Sequence, residues 1–127
     1  MPAPGNVVGW FEIYVTDMGR AKNFYKAVFQ REMVDLPAMG SDMQMCAFTW
    51  VDNGAGAAGA LVKSANMGAG AGGTMVYFSC EDCAVEAARV VTHGGTLCQE
   101  KMSIGEYGFI AIAQDTEGNT IGLHSHA

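Results

Sequence analysis

Glu12 and His124 are the two side chains whose types and settings best suit them to move a proton or hold an ion. Glu12 stands in Gly9-Trp10-Phe11-Glu12-Ile13-Tyr14-Val15, and His124 closes Thr120-Ile121-Gly122-Leu123-His124. Both runs alternate as strands do, so each side chain projects from a pleated face whose parity can be read. A carboxylate and an imidazole brought together could act as an oriented imidazole, as a general acid and base, or as two ligands of a metal ion. Two ligands alone hold zinc weakly, and no third stands out on the same face. A plainer reading stays open: a buried Glu12 satisfied by neighbouring hydroxyls, and a histidine near the chain end. Withdrawing a carboxylate from water is costly without a partner, so Glu12 is expected to have one.

Around these two lie aromatic groups. Trp10, Tyr14 and Tyr77 are the expected wall of a binding site, able to stack a flat ligand or hold a cation, with Phe109 beside them. Ser103-Ile104-Gly105-Glu106-Tyr107-Gly108 is a glycine-bounded loop that places Tyr107 and Glu106 at the mouth of such a site, or forms an ordinary surface turn. His93 is expected to end a helix, and His126 to lie in a tail. Cys80-Glu81-Asp82-Cys83 has the spacing of a redox or zinc motif, but two acids between the thiols oppose the lowered pKa that redox chemistry needs. Cys46 and Cys98 have no neighbouring ligands, and all four thiols are read as free and packed.

The elements that position these residues repeat. Val7–Val15 reads as a strand with Phe11, Ile13 and Val15 on one face and Trp10, Glu12 and Tyr14 on the other. Thr16 or Asp17 can cap a following helix whose apolar stripe is Met18, Ala21, Tyr25, Val28 and Phe29. Met75–Cys80 alternates in the same way. Asp82 then caps a helix with Cys83, Ala87, Val90 and Val91 on its stripe, and Gly94-Gly95 stops it. A shift of 65 positions lays Asp17 on Asp82, Val15 on Cys80 and Tyr25 on Val90.

Three strand-like stretches follow each helix: about 32–36, 43–51 and 59–64, then 96–101, 108–114 and 120–125. The predicted class is α+β, one domain over 1–127 made of two βαβββ modules, about 7–66 and 74–126. Neither module can bury both faces alone, so curved sheets with helices on the convex side should enclose a cleft. Alternation assigns Trp10, Glu12, Tyr14, Met75, Tyr77, Ser79, Phe109, Ala111, Gly122 and His124 to the inner side. They line a ligand site there or fill a core.

Composition limits the partners. The chain has 127 residues, half of them apolar, and a formal net charge of -6. That balance, with no basic run, speaks against nucleic acid and anionic membranes. The N-terminus lacks the basic and apolar regions of a signal peptide, and no window reaches the roughly 20 apolar residues of a membrane span. A cytoplasmic location is expected.

Gly9 to Asp17 followed by Arg20-Ala21-Lys22-Asn23-Phe24-Tyr25, and the closing Asp115-Thr116-Glu117-Gly118-Asn119-Thr120-Ile121-Gly122-Leu123-His124, resemble the vicinal oxygen chelate superfamily. That group includes glyoxalase I, extradiol dioxygenases and bleomycin-resistance proteins. The resemblance implies a homodimer and, in metal-using members, four inward ligands of His or Glu type. Carried over, those positions fall on Trp10, on Gly59 or Leu61, on Met75 and on Gly122. None suits a hard divalent ion: indole only donates, glycine has no side chain and thioether is soft. No cofactor is therefore expected at the usual positions, with Glu12 and His124 the remaining candidates for a displaced divalent metal.

Three readings follow. The first is a glyoxalase/bleomycin-resistance-like protein binding a small aromatic or cationic molecule without the family's standard metal site. The second is a metal-assisted lyase or isomerase with Glu12 as base and His124 as displaced ligand. The third is an interaction module with a vestigial cleft.

Overall fold

A computed structural model describes residues 5–37, 42–70 and 72–127. The elements are β1 (Val8–Tyr14), α1 (Met18–Phe29), β2 (Met33–Leu36), β3 (Met43–Phe48), β4 (Ala60–Ser64), β5 (Thr74–Ser79), α2 (Cys83–Thr92), β6 (Thr96–Ser103), β7 (Phe109–Gln114) and β8 (Thr120–Ser125). A single 3-10 turn, Gly105–Tyr107, separates β6 from β7. The order βαβββ occurs twice, which is the α+β arrangement that the internal repeat predicts. The chain forms two compact units: a first of Trp10–Met75, and a second of Val76–Ala127 with the segment that ends at Gly9. Among the described residues no helix is long and apolar enough to cross a membrane.

In the first unit the strand order is β2-β3-β4-β1. β2 and β4 run antiparallel to β3, while β1 lies parallel to β4 with Glu12 opposite Ala60, Ile13 opposite Leu61 and Tyr14 opposite Val62. One sheet face carries Phe11, Phe48, Cys46 and Leu61 and takes α1. The Phe11 ring lies 6.2 Å from Phe48, which Tyr25 of α1 meets edge-on at 5.8 Å. Leu61 and Cys46 are fully buried in this layer; burying a leucine is worth about 1.5–3 kcal/mol. Asp17, not Thr16, caps α1, accepting from the Arg20 amide at 3.0 Å. That bond holds the Asp17 carboxyl below its usual range.

The expected stripe on α1 is only partly used. Ala21 and Tyr25 are half-buried, whereas Val28 and Phe29 are 53% and 59% exposed. The helix rests on the sheet through its middle, and its last turn stays in water. Gly59 explains how the layer closes: its φ is +80°, and a Cβ there would overlap the Phe11 ring. Glycine is the residue that both adopts this backbone and leaves the ring its place.

In the second unit the order is β5-β8-β7-β6, with β5 and β8 parallel and the rest antiparallel. Its core joins Cys80, Cys83, Ala87, Ala111 and Leu123, with Phe78, Val90, Leu97 and Phe109 packed against them. Asp82 caps α2 through the Ala84 amide at 3.0 Å and pairs with Lys101 at 2.8 Å. Lys101 and the amide together hold the Asp82 carboxyl below its usual range. The Lys101 ammonium also sits 4.6 Å from the centre of the Phe109 ring. Ser125 Oγ accepts from the Cys83 amide at 3.0 Å, tying the end of β8 to the start of α2.

Candidate functional site

In the first unit the register turns Trp10, Glu12 and Tyr14 away from the α1 layer, onto the sheet face shared with Ala60 and Val62. Tyr14 donates its phenol to Glu12 Oε1 at 2.8 Å, and the Trp10 indole N–H reaches Oε2 at 3.4 Å. The two aromatic groups thus grip opposite oxygens of one carboxylate. Trp10 and Glu12 are half-buried, and Tyr14 is 4% exposed. The spacing i, i+2, i+4 makes this possible, since alternate strand residues stand on one side. Each carboxyl oxygen thus accepts one hydrogen bond from an aromatic neighbour. The arrangement is an anion presented between an indole and a phenol, suited to a cationic or hydrogen-bond-donating partner.

In the second unit the corresponding positions differ. Tyr77 stands opposite Gly122, and Ser79 opposite His124. Tyr77 is 7% exposed, and its ring covers Gly122 so closely that a Cβ at 122 would overlap Cδ2 and Cε2 and lie 2.7 Å from Cγ. His124 Nε2 contacts the Tyr107 carbonyl at 2.6 Å. A carbonyl only accepts, so Nε2 donates this bond. His124 therefore pins the Gly105–Tyr107 turn. His126, expected in a tail, lies edge-on to His124 with ring centroids 4.9 Å apart. Tyr107 itself is 46% exposed.

Two expected placements are corrected. Phe109 and Ala111 lie on the helix-covered face, in the layer beneath α2, and not on the opposite one. Ile110 and Ile112 take that opposite face, level with His124 and Gly122. Every residue of Phe109-Ile110-Ala111-Ile112-Ala113 is apolar, so alternation there carries no polarity to read. The second correction concerns β4. Gly59 and Leu61 belong to the α1 layer, and Ala60 and Val62 face the other way.

The positions that the resemblance assigns to a metal thus become Trp10, Ala60, Met75 and Gly122, because Ala60 pairs with Glu12 as Gly122 pairs with Tyr77. They do not fit a divalent ion. Two offer no side-chain donor, the indole N–H is turned to Glu12, and the space above Gly122 holds the Tyr77 ring. Among the described residues no three His, Cys, Asp or Glu side chains come together to hold one.

The cysteines stay apart from this chemistry. Burial above all, with the charge of Glu86 adding to it, pushes the Cys80 thiol up to about 11. Burial likewise raises Cys46, whose thiol bonds Asp35. Such thiols are poor nucleophiles. A depression of about 330 Å³ that the sequence did not foretell lies in the first unit, lined by Val15, Thr16, Lys63, Ser64, Asn66 and Met67 among others. None of the expected site residues lines it.

A family model described as Glyoxalase/Bleomycin resistance protein/Dioxygenase superfamily matches residues 7–123. No curated protein matches the sequence. Among solved structures, Streptomyces coelicolor methylmalonyl-CoA epimerase in complex with 2-nitronate-propionyl-CoA superposes with a TM-score of 0.72 at 14% identity, covering 96% of this chain and 98% of that one. The methylmalonyl-CoA epimerase of Mycobacterium tuberculosis gives 0.70 at 17% identity, covering 100% and 93%. A hypothetical protein from Bacillus halodurans gives 0.71 at 9%, covering 93% and 92%. At such identities the likeness is one of fold.

Proposed function

The chain belongs to the glyoxalase/bleomycin resistance protein/dioxygenase superfamily, and from that premise we propose that it binds a small aromatic cation through Trp10, Glu12 and Tyr14. The observation that carries this reading is the doubly held carboxyl group: Tyr14 at 2.8 Å and the Trp10 indole at 3.4 Å hold Glu12 between two aromatic groups. A carboxylate held between an indole and a phenol attracts positive charge by ion pairing, and the faces of the same rings would add the quadrupole attraction for a ligand that reaches them. The net charge of -6 favours the same partner at long range.

A lyase or isomerase using Glu12 as base is less well supported. Both Glu12 oxygens already accept hydrogen bonds, from Tyr14 and from Trp10. The four positions where relatives place metal ligands offer no hard donor on this chain. The epimerase neighbours share the fold at 14–17% identity, which does not transfer their reaction.

The test is calorimetric titration with a flat monocation such as N-methylquinolinium, beside its neutral counterpart quinoline at pH 8. Saturable binding of the cation, weakened roughly tenfold or more in Trp10→Ala, supports the reading, since cation–π contacts in desolvated sites are worth about 2 kcal/mol. Equal affinity for the cation and the neutral ring would refute it.

A further inference from the structure

At the end of β8, His124 and His126 stand two residues apart with ring centroids 4.9 Å apart and planes at 89°. We propose that this pair is an exchangeable binding site for a divalent transition-metal ion, distinct from the positions used by the family and independent of the ligand reading above. Three features carry it.

The first is separation. Two imidazole nitrogens each about 2.0–2.1 Å from one tetrahedral zinc ion place their ring centroids roughly 5 Å apart. The observed 4.9 Å is already that spacing. His126 is exposed, so its ring has room to reorient towards a shared ion.

The second is the tautomer. Histidines that bind metals usually donate their other ring N–H to a backbone carbonyl or carboxylate, which fixes the ring and raises the basicity of the ligating nitrogen. His124 has this partner, the Tyr107 carbonyl at 2.6 Å; with Nε2 committed there, Nδ1 is the nitrogen left to take a ligand. Gly108 keeps the turn close: its φ is +106°, and a Cβ there would overlap the Ser125 carbonyl oxygen.

The third is ligand type. Imidazole suits zinc, nickel and copper and is a poor ligand for magnesium or calcium, so the ion is of the first class. With two protein ligands, water or an oxygen ligand completes the coordination, and the ion exchanges readily.

The test is calorimetric titration of the full-length, tag-free protein with Zn²⁺, repeated in Cys98→Ser to remove the exposed thiol as a competing ligand. The expected result is one Zn²⁺ per chain in both proteins, with affinity falling at least about tenfold in His126→Ala, a loss no smaller than removal of an outer-shell partner causes. His126→Ala removes only an exposed ring, so unchanged circular dichroism would confirm an intact fold. Nitrogen-15 spectra of the histidines give a second readout: His124 should show the Nε2–H tautomer, and Zn²⁺ should move its Nδ1 resonance. Binding that survives His126→Ala, binding that vanishes in Cys98→Ser alone, or no binding in the wild type would each overturn the proposal. None of these outcomes bears on the aromatic-cation reading, which Trp10→Ala tests separately.

Discussion

Replacing Gly122 by Ala should destabilise the protein, although glycine to alanine within a strand is ordinarily neutral or helpful. The backbone at 122 is not in the left-handed region, so alanine meets no conformational objection, and its smaller unfolded-state entropy would by itself add about 0.4–1 kcal/mol. The obstacle is Tyr77. The new methyl would overlap two ring carbons and lie 2.7 Å from Cγ, where carbon–carbon contacts settle at about 3.5–4.0 Å. The ring must retreat by about 1 Å, and at 7% exposure it has little room to do so. Overpacking of this kind costs about 1–3 kcal/mol. A net loss of about 1 kcal/mol in a chain of this length lowers Tm by roughly 4 °C. Urea denaturation with a double-mutant cycle isolates the cause. In a Tyr77→Ala background, Gly122→Ala should cost nothing or stabilise slightly, giving a coupling energy of about 2 kcal/mol. Additive effects, or a neutral Gly122→Ala in the presence of Tyr77, would refute the account of why this position is closed to a metal-binding side chain.

Three further outcomes are expected. Gly59→Ala should lose more stability than Gly122→Ala, by about 1 kcal/mol or more, because it adds a left-handed backbone to a ring overlap; chemical denaturation of the two variants ranks them. Acid should weaken the protein below about pH 4, since the Asp82 and Asp115 carboxyls have folded-state pKa values below their ordinary one. Their contribution is complete above the unfolded pKa and is lost as pH falls through the folded one; Asp82→Asn should flatten that part of the stability–pH curve. Ellman titration of the native protein at pH 8 should show one fast thiol, Cys98, with Cys46, Cys80 and Cys83 reacting only on unfolding. Cys98→Ser should abolish the fast phase.

The repeat made the fold legible. Asp17 and Asp82 both cap helices, as their spacing predicts, and each helix is followed by three strands. Local chemistry suffices there, because caps, stripes and turns act over a few residues. The Trp10-Glu12-Tyr14 face was legible for the same reason: Phe11 and Ile13 mark one face of β1 as apolar, and Glu12 and Tyr14 mark the other as polar. Phe109 was misplaced because β7 is apolar on both faces, and only pairing with β8 fixes which side meets α2. Gly59 and Leu61 were taken for inward positions for want of the β1–β4 register, which no single strand contains. The bond from Tyr14 to Glu12 fits the expectation that a half-buried carboxylate has a partner, whereas the Tyr107 carbonyl on His124 leaves no trace in side-chain types. The pairing of His124 with His126 could have been read from their i, i+2 spacing had the strand been carried one residue further.

Charge discrimination by Glu12 tests the binding account most directly. In a Trp50→Phe background Trp10 is the sole tryptophan, so its fluorescence reports titration with N-methylquinolinium and with quinoline. The account expects the protein with Glu12 to prefer the cation by roughly tenfold or more, and Glu12→Gln to bind both alike, since an ion pair about 4 Å apart near a protein surface attracts by about 4 kcal/mol before desolvation is counted. Undiminished preference for the cation after Glu12→Gln would contradict it.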